Sequence, residues 1–166
     1  MRVEAINMEK TKNEAKKYIL NKIPLASKIF QFNSFIGDIK LEYIEFKVLK
    51  YEIISRQKNN RIFKSELKKE MITMLINTYN GHSESIDKIP NTSKKYVSKS
   101  CIRENKINED DLVNVVKKEI IARLTDKLKS GTIDKINIQI NIVDIKSIYK
   151  PYWVVDFRGR NVFIDS

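Results

Sequence analysis

Ile36-Gly37-Asp38-Ile39-Lys40-Leu41-Glu42-Tyr43-Ile44-Glu45-Phe46-Lys47-Val48-Leu49-Lys50-Tyr51 and Ile142-Val143-Asp144-Ile145-Lys146-Ser147-Ile148-Tyr149-Lys150-Pro151-Tyr152-Trp153-Val154-Val155-Asp156-Phe157 align without a gap at an offset of 106. Six of the sixteen positions are identical: Ile36, Asp38, Ile39, Lys40, Tyr43 and Val48 match Ile142, Asp144, Ile145, Lys146, Tyr149 and Val154. Phe46 faces Tyr152, Leu49 faces Val155 and Tyr51 faces Phe157. Both stretches are rich in β-branched and aromatic residues, the composition of strands. Further on, Leu75-Ile76-Asn77 matches Phe163-Ile164-Asp165 if the first copy holds 18 extra residues near 52–70. The chain therefore reads as one pattern written twice.

Working outward, residues 8–22 are polar, with Ala15, Tyr18, Ile19 and Lys22 on helical spacing, and predict a helix ending before Pro24. Residues 34–56 predict one or two strands, because Ile39, Leu41 and Tyr43 alternate with polar neighbours. A turn is expected at Gln57-Lys58-Asn59-Asn60, and 61–70 fits helix or strand. Residues 71–76 predict a short apolar strand, and Asn80-Gly81 a turn. Residues 84–107 read as a basic surface connection.

The clearest helix spans 109–129. Asn108 can accept from an orphan amide as N-cap, and Glu109, Asp110 and Asp111 put negative charge at the positive end of the dipole. Leu112, Val116, Ile120, Leu124 and Leu128 form one apolar stripe, and Gly131 suits the cap beyond it. Ile136, Ile138, Ile140 and Ile142 then alternate with polar residues as a strand whose phase breaks at Val143. Residues 152–157 and 161–164 predict two more strands around a tight turn at Arg158-Gly159-Arg160.

The expected fold is α+β: two tandem helix–antiparallel three-strand repeats with a mainly antiparallel sheet. Residues 1–90 form the first repeat, 91–107 the basic connection and 108–166 the second. This order, with Lys150-Pro151-Tyr152-Trp153-Val154-Val155 in a central strand and an apolar strand ending in Asp165, resembles the cystatin-like α+β repeats, among them the PepSY-like domains of bacteria. The resemblance implies a non-enzymatic module rather than a reaction.

Composition bounds the function. The 32 Lys plus Arg exceed the 21 Asp plus Glu, for a net charge of +11. Lys outnumbers Arg by 25 to 7, and Ile, Lys and Asn supply 66 of the 166 residues, a bias that AT-rich codons produce by themselves. Arg, the preferred partner for phosphate and guanine, is scarce. The charge is uneven: net +9 over residues 1–100 and +2 over 101–166. One Cys and one His exclude an intrachain disulfide and a multi-histidine centre, and four Gly leave no Gly-rich phosphate cradle. No segment has the apolar length of a signal peptide or membrane span, so the cytoplasm is the expected location.

No cofactor, metal site or catalytic constellation is expected. Cys101 and His82 lack a third orienting residue, and Glu109-Asp110-Asp111 is accounted for as a helix start. Two binding surfaces are expected instead. Tyr152, Trp153, Phe157, Arg158 and Arg160 form an aromatic–basic cluster suited to a partner surface. Lys88, Lys94, Lys95, Lys99 and Arg103 are candidate contacts for an anion or nucleic acid. The expected function is a non-enzymatic interaction module acting through a sheet surface or edge, by a protein partner or self-association. The alternative is a nucleic-acid binder using the basic connection and the Arg158/Arg160 turn.

Overall fold

The computed structural model describes residues 1–22, 36–58, 65–129, 138–157 and 160–166. Strand β1 (Arg2–Ile6) opens the chain, followed by helix α1 (Lys12–Lys22), β2 (Ile36–Lys58), β3 (Ser65–Asn77) and β4 (Ser83–Ser85). Strand β5 (Thr92–Tyr96) leads through a 3-10 turn (Lys99–Cys101) to helix α2 (Glu109–Lys129), β6 (Gln139–Phe157) and β7 (Arg160–Asp165). The strands pair in the order β4-β3-β2-β6-β1-β5, and β7 also pairs with β6. Of the expected turn at 57–60, Gln57 and Lys58 are strand residues paired with Glu66 and Ser65; Asn59, Asn60, residues 61–64, the Gly131 cap, Ile136 and the Arg158-Gly159 turn lie outside the described residues.

The expected two tandem helix–three-strand repeats, mainly antiparallel, do not form. The described residues hold two α-helices and a seven-stranded mixed sheet, in which β1 runs parallel to β6 at Ala5↔Tyr149. The physical reason is strand length. Residues 36–58 are one strand, and 139–157 are one strand that runs through Pro151. Pro151 falls between Tyr149, paired with β1, and Tyr152, the first residue paired with β7. Proline is tolerated where the ladder changes partner, since a missing donor there breaks least.

The chain divides into two compact units. One comprises Met1–Glu45, Pro90–Glu104 and Ile148–Ser166, the other Phe46–Ile89 and Asn105–Ser147. Strands β2 and β6 each pass from one unit into the other. Each unit consequently combines the helix of one half of the sequence with the strand hairpin of the other half.

In the second unit, α2 covers β2 and β3. Leu112, Val116, Ile120 and Leu124 are buried against Leu49, Tyr51, Ile53, Met74 and Ile76. Burying each such side chain is worth about 1.5–3 kcal/mol before entropy is counted, so this stripe is what holds the helix. Asn108 caps it, its Oδ1 accepting from the Asp111 amide at 2.8 Å. In the first unit, α1 presents Ala15 and Ile19 to Val155 and Ile164 of the β6–β7 hairpin, with Ile39 and Trp153 alongside. A capping box fixes its start: the Thr11 amide donates to Glu14 Oε2 at 2.7 Å and the Glu14 amide to Thr11 Oγ1 at 3.3 Å. The backbone bond from Thr11, then its hydroxyl, holds the Glu14 carboxyl below the usual range. Val3, Ala5, Tyr43 and Val97 form a further small core, where β1 and β5 pair from Arg2↔Tyr96 to Ile6↔Thr92. No helix among the described residues is long and apolar enough to cross a membrane.

Candidate interaction site

The two hairpins share one register. Phe46 pairs with Asn77, Val48 with Leu75 and Tyr51 with Ile72; Tyr152 pairs with Asp165, Val154 with Phe163 and Phe157 with Arg160. The long strands correspond at the offset of 106 and their partners at 88. What differs is the outer side. Strand β3 carries β4, which pairs Met74↔Ser85, Leu75↔Glu84 and Ile76↔Ser83. The Asn77 amide donates to His82 O and the Ile86 amide to Thr73 O, both at 2.9 Å, so β3 turns its outer amide and carbonyl groups to β4 at residues 73 and 77. Among the described residues, β7 pairs with β6 alone. Met74, under β4, is 0% exposed; its counterpart Val162 is 36% exposed. Among the described residues no second strand pairs with β7 as β4 pairs with β3, and the Asp165 carbonyl on that side accepts from Lys10 Nζ.

The side chains around β7 are partly those of the expected aromatic–basic cluster. Tyr152 stands edge-on to Phe163, with centroids 6.1 Å apart and planes at 88°. The Arg103 guanidinium lies 4.9 Å from the centre of the Phe163 ring and is paired with Glu42. Lys150 lies 5.2 Å over the Tyr152 ring and 3.1 Å from Asp165 Oδ1. Burial alone would lower the Lys150 pKa, but the bonds and charges of Asp165 and Tyr152 carry it above its usual value. Lys10 Nζ donates to the Asp165 carbonyl at 3.1 Å. Arg160 is exposed.

Trp153 points to the other face. It packs on the α1 core, and its Nε1–H donates to Lys10 O at 2.9 Å. Its role is to tie the chain before α1 to the hairpin. Arg158 and the Phe157 side chain lie outside the description. Sequence reading did not assign Phe163, Glu42, Lys150, Lys10 or Asp165 to the partner surface. The hairpin register could have placed Asp165 opposite Tyr152, but nothing local brings Arg103 and Glu42 to Phe163.

The candidate anion contacts separate into two kinds. Lys94 and Lys95 lie on β5, Lys99 opens the 3-10 turn, and Lys88 lies exposed between β4 and β5. Arg103 is committed to Glu42 and Phe163. Beside the lysines, Tyr96 is 85% exposed at the end of β5.

A polar pocket of about 410 Å³ opens at the start of α2, lined by Lys47, Thr78, Asn105, Lys106 and Glu109 among others. Its groups satisfy one another: Lys47 Nζ reaches Glu109 at 3.2 Å and Ser147 at 3.0 Å, and Thr78 Oγ1 donates to Asn105 Oδ1 at 2.7 Å. Among the described residues, no group of three or more His, Cys, Asp or Glu could hold a metal ion. Comparison with protein-family models, curated proteins and solved structures finds no match.

Proposed function

We propose that this chain is a cytoplasmic, non-catalytic interaction module that takes an extended segment of a partner protein onto a sheet edge. The observation that supports this reading is that, among the described residues, β7 has β6 as its one strand partner, whereas β3 of the same register also carries β4. Strand addition draws its affinity from main-chain bonds and its selectivity from alternate side chains. The probe is a synthetic peptide of residues 82–89, the chain's own β4 with its flanks. Titrated against the isotope-labelled protein, it is expected to move the amide signals of Asn161, Phe163 and Asp165. Asn161→Pro, which removes an outer amide, should abolish those shifts while the hairpin stays folded. Shifts confined to other elements, or none at all, overturn the reading.

A second reading, nucleic-acid binding, is favoured by Tyr96, which stands 85% exposed next to Lys94 and Lys95. Among the described residues these lysines and Lys99 make no ion pair, and stacking aromatics among cations are the means by which single strands are held. It predicts binding to a single-stranded oligonucleotide that weakens steeply with salt. Loss of that binding on reversing the charge of Lys94, Lys95 and Lys99 supports it, and unchanged binding sinks it.

A further inference from the structure

Resting on the nucleic-acid reading, we infer that a base of a single strand stacks on Tyr96 and that its phosphate is held by Arg2, on the neighbouring strand. Strand alternation divides the basic residues of β5 between two faces. The Val97 amide donates to Met1 O at 2.9 Å, and the Met1 nitrogen donates to Val97 O at 2.7 Å. The next pair, Arg2↔Tyr96, is therefore a non-hydrogen-bonded one, whose side chains stand close together on one face. Lys94 shares that face, two residues along. Lys95 lies opposite Val3 and goes to the other face, that of the small Val3, Ala5 and Val97 core, where it is half-buried. Arg2 and Lys94 are exposed, and among the described residues neither makes an ion pair. Glu4, opposite Lys94, offsets that lysine's charge and accepts from Thr92 Oγ1 at 3.4 Å. Tyr96 faces a cation directly, so Arg2 is the one that serves its ring. A guanidinium holds a phosphate through two parallel bonds, and an exposed ring takes any base by its face. Lysines on an edge strand oppose the addition of a further strand, so the contact is the face of β5 and not its edge.

The test is fluorescence anisotropy of a labelled oligothymidine strand with the full chain at about 0.15 M salt, where a charge acts over about 8 Å. Arg2→Gln and Lys95→Gln remove the same charge from the two faces. Arg2→Gln should weaken binding about fivefold and lower the salt slope by about one, whereas Lys95→Gln should change binding by less than about twofold. Tyr96→Ala should weaken binding about tenfold, and Tyr96→Phe, which keeps the ring, should bind as the parent does. Arg2 and Tyr96 are exposed, so these variants keep the fold and an unchanged circular dichroism spectrum. Equal losses for Arg2→Gln and Lys95→Gln overturn the assignment of the face and leave the nucleic-acid reading standing. Full binding by Tyr96→Ala overturns stacking, as does a duplex of the same sequence that competes as well as the single strand. An oligoglutamate that competes equally also overturns the inference, since it reduces the site to unspecific attraction. No binding by the parent chain overturns the nucleic-acid reading itself.

Discussion

Tyr51 sits at the centre of the second unit's core, and among the described residues its hydroxyl has no hydrogen-bond partner. An unpaired buried polar group forfeits its hydration without return. Burial also pushes the hydroxyl pKa up to about 12. Because the folded value lies above the ordinary one of 10.0, the contribution is intact below that pH and declines as pH rises towards 12. Tyr51→Phe removes both burdens. It should be more stable by about 1 kcal/mol at neutral pH, the net of lost desolvation and a small void. The gain should widen above pH 10. Urea midpoints of both proteins at neutral and alkaline pH check this; a less stable variant would show that a bound water satisfies the hydroxyl. Gly81 is a second residue-scale case. Its φ is +74°, and a Cβ there would stand 2.6 Å from Ile107 Cδ1. Gly81→Ala should lose about 1–2 kcal/mol from the left-handed backbone alone, read as a lower urea midpoint. Asn80-Gly81 is legible as a turn from sequence; the approach of Ile107 is not, because it joins residues far apart in the chain.

Among the elements, helices are the more legible. The expected 109–129 helix coincides with α2, since its cap, acidic first turn and apolar stripe are all local signals. Asn108→Ala should remove about 1 kcal/mol by leaving the Asp111 amide without its acceptor, and thermal unfolding followed by circular dichroism would show it. The strands are less legible, and for different reasons. Strand β1 alternates Val3 and Ala5 with polar residues but is too short to stand out. Strand β5 is Thr-Ser-Lys-Lys-Tyr, which reads as a polar connection until β1 is there to pair with it. In β6, Pro151 reads as a boundary, yet the strand continues because its partners change there. The aromatic residues of 152–157 were legible as a cluster, but strand alternation sends Tyr152 to Phe163 and Trp153 to the α1 core. That β7, unlike β3, has one strand partner among the described residues is not visible in its own sequence. It emerges only by comparing two hairpins that share a register.

At the scale of the whole molecule, local periodicity specifies helices and strands but not which hairpin each helix covers. Both helices present apolar stripes, and both hairpins present apolar faces, so sequence adjacency is a natural guess and the exchanged pairing is invisible. That exchange has a consequence for folding. Each unit is assembled from separate chain segments, and β2 and β6 are continuous covalent paths between the units. Melting α2 off Leu49, Tyr51 and Ile53 releases the strand whose earlier residues, Ile39 and Tyr43, pack in the first unit. The units should therefore unfold as one transition rather than two. Trp153, the only tryptophan, packs on the α1 core and reports the first unit. Ile120, buried on the inner face of α2, belongs to the second. Ile120→Ala should cost about 2–5 kcal/mol. It should lower the urea midpoint seen by Trp153 fluorescence as far as that seen by far-ultraviolet circular dichroism. A fluorescence midpoint that stays put while the dichroism signal shifts would mean that the exchanged halves unfold independently. The continuity of β2 and β6 would then carry no cooperativity between them.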